Sequence, residues 1–236
     1  MISKCNWKYD EKKHAGVDYN KPDQVRKYDT NHQSFRDYKK ESDGIINALG
    51  LGSEHTVIDM GSGTGAFALH AARCFKMVYA VDVSKAMLDY SRQKAQKQGL
   101  NNIAFCQSGF LSYEHNAEPA DAMVCVAALH HLPDFWKLIG LKRALKMLKP
   151  NGRFFLFDVV FPSDITDYEN SFNEWVQSTR NTVESDIALE VETHIRDEYS
   201  TCDWIMEGLI DRGGFHIDST QYTDRYRATY VCTKKI

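Results

Sequence analysis

Residues 57–66, with the sequence VIDMGSGTGA, hold the side chains and spacings that most directly suggest chemistry. A short apolar run ends in Asp59, and Gly61, Gly63 and Gly65 then alternate with small residues ahead of a helix-like segment. Glycines at this spacing let the backbone turn sharply and approach a bound molecule closely at the start of a helix. The pattern predicts a nucleotide-like cofactor held on a parallel α/β sheet.

A second acidic residue fits the same kind of ligand. Asp82 follows the first glycine by about 20 residues, where a carboxylate can accept hydrogen bonds from ribose hydroxyls. The loop, read as Gly61-x-Gly63-x-x-Ala66, also satisfies the loose dinucleotide fingerprint, so these residues alone leave a nicotinamide cofactor open. Asp59 favours a different cofactor from a dinucleotide. A second carboxylate beside the loop suits a cofactor with a cationic centre or an ammonium group better than it suits a pyrophosphate.

The elements that must position these residues alternate between strand and helix. Strands apolar on both faces, separated by helical segments, indicate a parallel sheet covered on each side by helices. The predicted strands are 56–60, 77–82, 102–106, 122–126 and 153–161, followed by a hairpin of 215–222 with 227–233. The predicted helices among them are 65–74, 84–98, 134–148 and 200–212.

Two further segments are expected to cover the sheet. Residues 1–50 are predicted to form an N-terminal helical cap, in which apolar positions recur at helical spacing from 33 to 49 and Gly50 ends the helix. Residues 51–236 form the cofactor-binding domain. Its charged insertion, 162–199, is predicted to be helical and to contribute to the cap.

Composition narrows the range of partners. The chain has 236 residues, a net charge of −3 and 43% hydrophobic residues, which argues against a nucleic-acid surface. No apolar stretch follows the N-terminal charges, so no signal peptide is expected, and the longest apolar run, 122–129, is too short to span a bilayer. Six scattered cysteines without a C-x-x-C pair predict reduced thiols, a cytoplasmic location, no disulfide and no metal site. Oligomeric state cannot be read from these features.

The ordered motifs resemble those of class I S-adenosylmethionine-dependent methyltransferases, from about residue 35 to the C-terminus. Such a resemblance is more specific than a single glycine motif, because all the segments occur in order and at reasonable spacing. The matching segments are Val57–Gly65, Tyr79–Asp82, Gln107–Phe110, Asp121–Asp134 and Leu148–Phe157. The resemblance implies a doubly wound, seven-stranded, mostly parallel sheet with an antiparallel last strand and a small helical cap.

The resemblance also implies a role for each matched residue toward S-adenosylmethionine. The loop of Gly61, Ser62, Gly63 and Gly65 would pass under the methionine part, and Asp59 would orient this loop or reach the amino group through water. Asp82 would hold the ribose, Val83 and Met87 would pack on adenine, and Ala127 would lie near the methionine end.

One position departs from the family pattern. The third motif commonly carries an acid that reaches the adenine amine, and here Ser108 and Gly109 stand in its place. We therefore expect backbone groups around Gly109 and Phe110 to meet the adenine.

Candidate residues for the acceptor side come from three places. His130 and His131 follow the fourth strand, where ligands collect in such sheets, and either is a candidate general base. Tyr28, His32 and Arg36 share one helical face, on which Tyr28 could close the methionine end and Arg36 pair with its carboxylate. The insertion supplies a last polar group that could line the acceptor pocket: Glu192, His194, Arg196, Glu198 and Tyr199.

The predicted function is methyl transfer from S-adenosylmethionine to a small-molecule acceptor, mainly by positioning. Two alternatives remain, a nicotinamide-dependent oxidoreductase and a non-enzymatic module that binds S-adenosylmethionine. Against the first, no Tyr-x-x-x-Lys pair follows the fourth strand. The sequence does not specify whether oxygen, nitrogen, sulfur or carbon accepts the methyl group.

Overall fold

The structure is a computed structural model that describes residues 7–13, 16, 22–33, 36–162, 164, 166–182 and 185–235. Strands and helices alternate through most of this part of the chain. The helices are α1 (Pro22–Gln33), α2 (Tyr38–Leu49), α3 (Ala66–Ala71), α4 (Lys85–Lys97), α5 (Asp134–Met147), α6 (Tyr168–Thr182), α7 (Ser185–Asp197) and α8 (Asp203–Arg212). The strands are β1 (Thr56–Met60), β2 (Met77–Asp82), β3 (Ile103–Gln107), β4 (Ala120–Val126), β5 (Leu148–Phe161), β6 (Thr201–Cys202), β7 (Phe215–Tyr222) and β8 (Arg227–Lys234).

The sheet confirms the predicted topology. Its strand order is β3-β2-β1-β4-β5-β8-β7, and the pairs among the first five strands in this order are parallel. β8 runs antiparallel to both β5 and β7, while the two-residue β6 adds beside the end of β5. The chain order reverses between β1 and β4, and in open α/β sheets ligands bind outside the carboxyl ends of strands at such a point.

Helices cover both faces of the sheet. Ile58 and Val57, adjacent on β1, belong to two different cores, as the alternation of side chains along a strand requires. The core around Ile58 includes residues of α5 and α8, and the core around Val57 includes Ile45 and Leu49 of α2 together with residues of α3. The division of the chain at residue 50 stays a prediction, and α2 itself packs directly on the sheet.

Several helix boundaries differ from the predicted ones. The helix predicted over 33–49 begins later, at Tyr38, because α1 ends at Gln33 and Asp37 caps α2 by accepting a hydrogen bond from Lys40 N at 3.0 Å. Gly50 ends α2 with φ of 64°, as predicted. Asp134, predicted as a cap, is instead the first residue of α5, and its carboxylate accepts hydrogen bonds from Lys137 and Thr201.

The C-terminal part of the chain follows the prediction more closely. The helix predicted from residue 200 starts at Asp203, after β6, and the hairpin of β7 and β8 is present. Within the described ranges, every helix is too short or too polar to cross a bilayer.

Candidate cofactor and acceptor site

A cavity of about 1230 Å³ opens at the carboxyl ends of β1, β2 and β4. Ligand pockets commonly measure roughly 300–1,000 Å³, so this cavity has room for a cofactor and a second small molecule. The glycine loop and Asp82 form one wall, the turn Leu129–His131 forms another, and α1 and α7 lie opposite.

The three glycines of the loop differ in what a side chain at each position would contact. Gly61 has φ of 78°, and a Cβ added there would lie 2.3 Å from the Ala128 Cβ. Gly65 has φ of 82°, and its added Cβ would lie 2.1 Å from Ser91 Oγ, so packing rather than a ligand excludes a side chain there. Gly63, with φ of 51°, lines the cavity, and no described atom lies within 4 Å of its added Cβ. The loop therefore leaves open space above Gly63.

Asp82 is fixed at the cavity wall by the backbone around it. Its Oδ2 accepts a hydrogen bond from Gly63 N at 2.8 Å, and its Oδ1 accepts one from Ser84 N at 2.8 Å. The carboxylate thus joins the glycine loop to the start of α4, which Ser84 caps by accepting from Met87 N at 3.2 Å. This geometry presents a preorganised acceptor to a ligand in the cavity.

Asp59, near the end of β1, and Ser62, in the glycine loop, do not line the cavity. Both are buried, and neither Asp59 Oδ2 nor Ser62 Oγ has a hydrogen-bond partner among the described residues. Burial, reinforced by the nearby Asp82 carboxylate and opposed by a hydrogen bond from the Ala68 backbone, raises the pKa of Asp59 to about 8. Asp59 therefore holds a proton at neutral pH in the folded protein.

This raised pKa predicts a pH-dependent effect of Asp59→Asn on stability. Between the ordinary Asp pKa of about 4 and the folded value of about 8, the folded chain binds a proton that the unfolded chain has lost. The free energy of unfolding of the wild type should therefore fall relative to the variant by about 1.4 kcal/mol per pH unit from pH 5 to pH 7. Urea unfolding of both proteins at these pH values measures the difference. If the free energies of unfolding of the two proteins changed with pH in parallel, Asp59 would be ionised in the folded protein.

The predicted adenine end contains an acid that the sequence analysis missed. Val83, Met87, Gly109 and Phe110 line the cavity as predicted, and Glu11 lines it beside them. Glu11 Oε2 accepts a hydrogen bond from Leu111 N at 2.8 Å and lies 2.5 Å from the position of a Cβ added at Gly109.

One carboxylate oxygen of Glu11 is unsatisfied among the described residues. Its Oε1 is buried and lacks a hydrogen-bond partner within the described part of the chain. Glu11 sits in a polar N-terminal segment without helical or strand periodicity, so no local signal in the sequence connects it with residue 109.

His130 is enclosed by two carboxylates. Its backbone N donates to Asp158 Oδ2 at 3.1 Å, its Nδ1 lies 2.6 Å from Asp158 Oδ1, and its Nε2 lies 3.4 Å from Glu198 Oε2. Burial alone would lower the pKa of His130, but Asp158 and Glu198 outweigh burial and raise it. The pKa of Asp158 is lowered, because the attraction of His130 exceeds the cost of burying the carboxylate.

His131 differs from its neighbour. Partial burial, followed by repulsion from His130, lowers the pKa of His131, so this imidazole is neutral at physiological pH. Its Nδ1 lies 3.9 Å from Glu198 Oε1. His194 of α7 completes the group, with its ring centroid 4.4 Å from that of His130. All three histidines and Glu198 line the cavity.

The cap residues are only partly placed as predicted. Tyr28 and His32 line the cavity, and their ring centroids are 3.9 Å apart. Burial raises the pKa of Tyr28 to about 12, so its hydroxyl stays neutral. Arg36 also lines the cavity, but it forms an ion pair with Glu41 at 2.6 Å. Tyr199 does not line the cavity, since its exposed ring packs edge-on against Tyr9.

A buried carboxylate on α1 attaches the cap to the loop. Asp29 accepts hydrogen bonds from Thr64 Oγ1 at 2.6 Å and from Lys94 Nζ at 3.0 Å. Thr64 belongs to the glycine loop and Lys94 to α4, so α1 is held directly over the loop. The sequence analysis did not single out Asp29.

These features bring a glycine loop, an acid at the tip of β2 and a group of histidines around one cavity of a doubly wound α/β fold. A family model described as a methyltransferase domain matches residues 51–214. The chain belongs to this methyltransferase family.

The chain is similar to several other methyltransferases. The uncharacterized methyltransferase YcgJ of Bacillus subtilis is 29% identical over 153 residues, which are 62% of this chain and 60% of that relative's length. The uncharacterized methyltransferase GK2543 of Geobacillus kaustophilus is 25% identical over 80% of this chain and 82% of its own. A solved S-adenosylmethionine-dependent methyltransferase from Clostridium acetobutylicum has a TM-score of 0.68 and 16% identity, covering 91% of this chain and 98% of that one. This last likeness shows a shared fold.

Proposed function

We propose that this protein transfers a methyl group from S-adenosylmethionine to a small-molecule acceptor. The observation that carries the proposal is the Asp82 carboxylate, held by Gly63 N and Ser84 N at the edge of a cavity whose glycine loop leaves open space. Family membership directs this nucleotide site toward methyl transfer rather than hydride transfer.

The residues present fit the cofactor. Asp82 would accept hydrogen bonds from the ribose hydroxyls, Val83 and Met87 would contact adenine, and the open space above Gly63 would take the methionine part. The unsatisfied Glu11 Oε1 would accept a hydrogen bond from the adenine amine. Asp59, which accepts a hydrogen bond from the Ala68 backbone, would help to orient the glycine loop.

When bound, S-adenosylmethionine supplies an electrophilic methyl group on a sulfonium centre. The protein's own task is then to orient the acceptor and exclude water, since an aligned displacement needs little further chemical assistance. Tyr28 offers a neutral hydroxyl at the cavity wall, and Trp175 and Glu190 line the same cavity from the insertion.

The covered cavity supports a small acceptor. Residues of α1, α6 and α7 lie over it, and the net charge of −3 does not favour a nucleic-acid substrate. A cytoplasmic location stays a prediction from the scattered spacing of the cysteines along the sequence.

A matched pair of glycine variants tests where the cofactor lies. Gly63 and Gly50 both have positive φ, and for both no described atom lies within 4 Å of an added Cβ, but only Gly63 lines the cavity. Alanine in the left-handed region costs about 1–2 kcal/mol, so Gly63→Ala and Gly50→Ala should lower stability by similar amounts. Calorimetry with S-adenosylhomocysteine should show at least a tenfold loss of affinity for Gly63→Ala and wild-type affinity for Gly50→Ala. Equal affinities would place the cofactor elsewhere.

An acceptor screen with methyl-labelled cofactor tests the activity itself. Transfer of label to any small molecule supports methyl transfer, whereas tight cofactor binding without consumption across the screen would favour a non-enzymatic binding module. Fluorescence enhancement of NADH on mixing, without binding of S-adenosylhomocysteine, would favour the oxidoreductase alternative.

A further inference from the structure

Three histidines and a glutamate converge at the end of the cavity beyond the predicted methionine position. One ligand atom each from His130, His131 and Glu198 can be chosen so that all lie within 4.8 Å of one another, and His194 Nδ1 directly contacts Glu198 Oε2. The sequence predicts no metal site, and this cluster departs from that expectation. This cluster is built from imidazole and carboxylate groups on two segments far apart in sequence.

Glu198 is the residue that joins the cluster. Its side chain is only 5% exposed, and its Oε2 contacts His194 Nδ1 and lies 3.4 Å from His130 Nε2. A buried carboxylate that stays ionised needs cationic partners. Protonated imidazoles and a bound metal ion are both partners of that kind.

Two distances in the cluster, each to a different oxygen of Glu198, approach those between the ligands of a transition-metal ion. Two ligands at about 2.0–2.1 Å from a tetrahedral Zn²⁺ lie roughly 3.3 Å apart. His130 Nε2 is 3.4 Å from Glu198 Oε2, and His131 Nδ1 is 3.9 Å from Glu198 Oε1. His131 is the most exposed of these side chains, at 34%, so a small rotation of its ring would bring its nitrogen into range.

The surrounding structure supports the same arrangement. Metal-binding histidines almost always donate their second ring N–H to a carboxylate or carbonyl, which fixes the ring. His130 Nδ1 has such a partner in the fully buried Asp158, at 2.6 Å, leaving Nε2 directed at Glu198. Tyr199 N donates to His130 O at 2.9 Å and thereby holds the neighbouring Glu198 against the histidines.

We propose that His130, His131 and Glu198 bind a divalent transition-metal ion of the Zn²⁺ class in the cavity, with His194 paired to Glu198 beside them. Two histidines and one carboxylate that leave a position open form a ligand set found in catalytic metal sites. All three residues line the cavity, so the open position on such an ion would be available to an oxygen or nitrogen atom of the acceptor. This last role rests on the proposed function, whereas metal binding itself does not.

Metal binding is tested on the full-length, untagged protein after chelation and dialysis. Calorimetry with ZnCl₂ should show one tight equivalent, and CoCl₂ should give the visible absorption of four- or five-coordinate Co²⁺. His131→Ala and Glu198→Gln should each weaken Zn²⁺ binding at least 100-fold, since even loss of an outer partner costs about 10- to 100-fold. His216→Ala, which removes an exposed imidazole on β7, is the matched control and should bind like the wild type.

Measurements on the same proteins distinguish a failure of the metal site from a failure of the proposed function. S-adenosylhomocysteine titrations and melting curves show whether each variant is folded and whether the cofactor site is intact. Folded wild-type protein that binds neither Zn²⁺ nor Co²⁺ would overturn the inference, as would Zn²⁺ binding that survives both His131→Ala and Glu198→Gln. Failure to bind S-adenosylhomocysteine would instead overturn the proposed function and leave the metal result standing.

Discussion

Asp82→Ala should abolish most of the affinity for S-adenosylhomocysteine. Two ribose hydroxyls donating to one carboxylate contribute about 1.5–3 kcal/mol each, so their joint loss weakens binding at least 100-fold. The substitution also removes the acceptor for Gly63 N and Ser84 N, which hold the loop and the start of α4 in place. Isothermal titration calorimetry measures the affinity, and a melting curve shows whether the fold survives.

Two further variants make this result specific. Asp82→Asn keeps one acceptor oxygen but turns an NH₂ group toward a backbone donor, so an intermediate loss of affinity is expected. Asp89→Ala removes an exposed carboxylate on α4 that pairs only with surface cations and should bind like the wild type. A folded Asp82→Ala protein with wild-type affinity would show that the ribose lies elsewhere.

The sheet and the loop were predictable because their signals are local. Apolar strands, the glycine that ends α2 and the serine that caps α4 all depend on residues within a few positions of one another. Ser84 illustrates this, since its side chain accepts from Met87 N three residues later. The resemblance of the ordered motifs then implied a doubly wound, mostly parallel sheet, and the structure supplies the order of its strands.

The parts that escaped prediction depend on contacts between distant segments. Glu11 meets Leu111 across 100 residues, and Asp29 meets Lys94 across 65, from segments with little periodic pattern. Arg36 is predicted to pair with the carboxylate of the cofactor. In the structure it forms an ion pair with Glu41, five residues away in the sequence, instead. Spacing along one helix shows which residues share a face, and it does not show which partner each will find.

Glu11 offers the sharpest test of how the nucleotide base is recognised. Its Oε2 is engaged by Leu111 N and its Oε1 is an acceptor without a partner in the described structure, beside Gly109 and Val83. A carboxylate at this place accepts a hydrogen bond from the adenine amine but repels the carbonyl oxygen of hypoxanthine. One hydrogen bond to a charged group is worth about 1.5–3 kcal/mol, so the wild type should prefer adenine by at least 10-fold.

Glu11→Gln should therefore narrow or reverse the preference for adenine. The glutamine side chain keeps an oxygen that accepts from Leu111 N, and its NH₂ group then faces the base. This NH₂ group repels the amine of adenine and can donate a hydrogen bond to the carbonyl of hypoxanthine. Calorimetry with S-adenosylhomocysteine and S-inosylhomocysteine gives the ratio of affinities, and Glu118→Gln, at an exposed position, should leave that ratio unchanged. If Glu11→Gln retained the wild-type ratio, Glu11 would only anchor the N-terminal segment to Leu111, and backbone groups around Gly109 and Phe110 would be left to read the adenine.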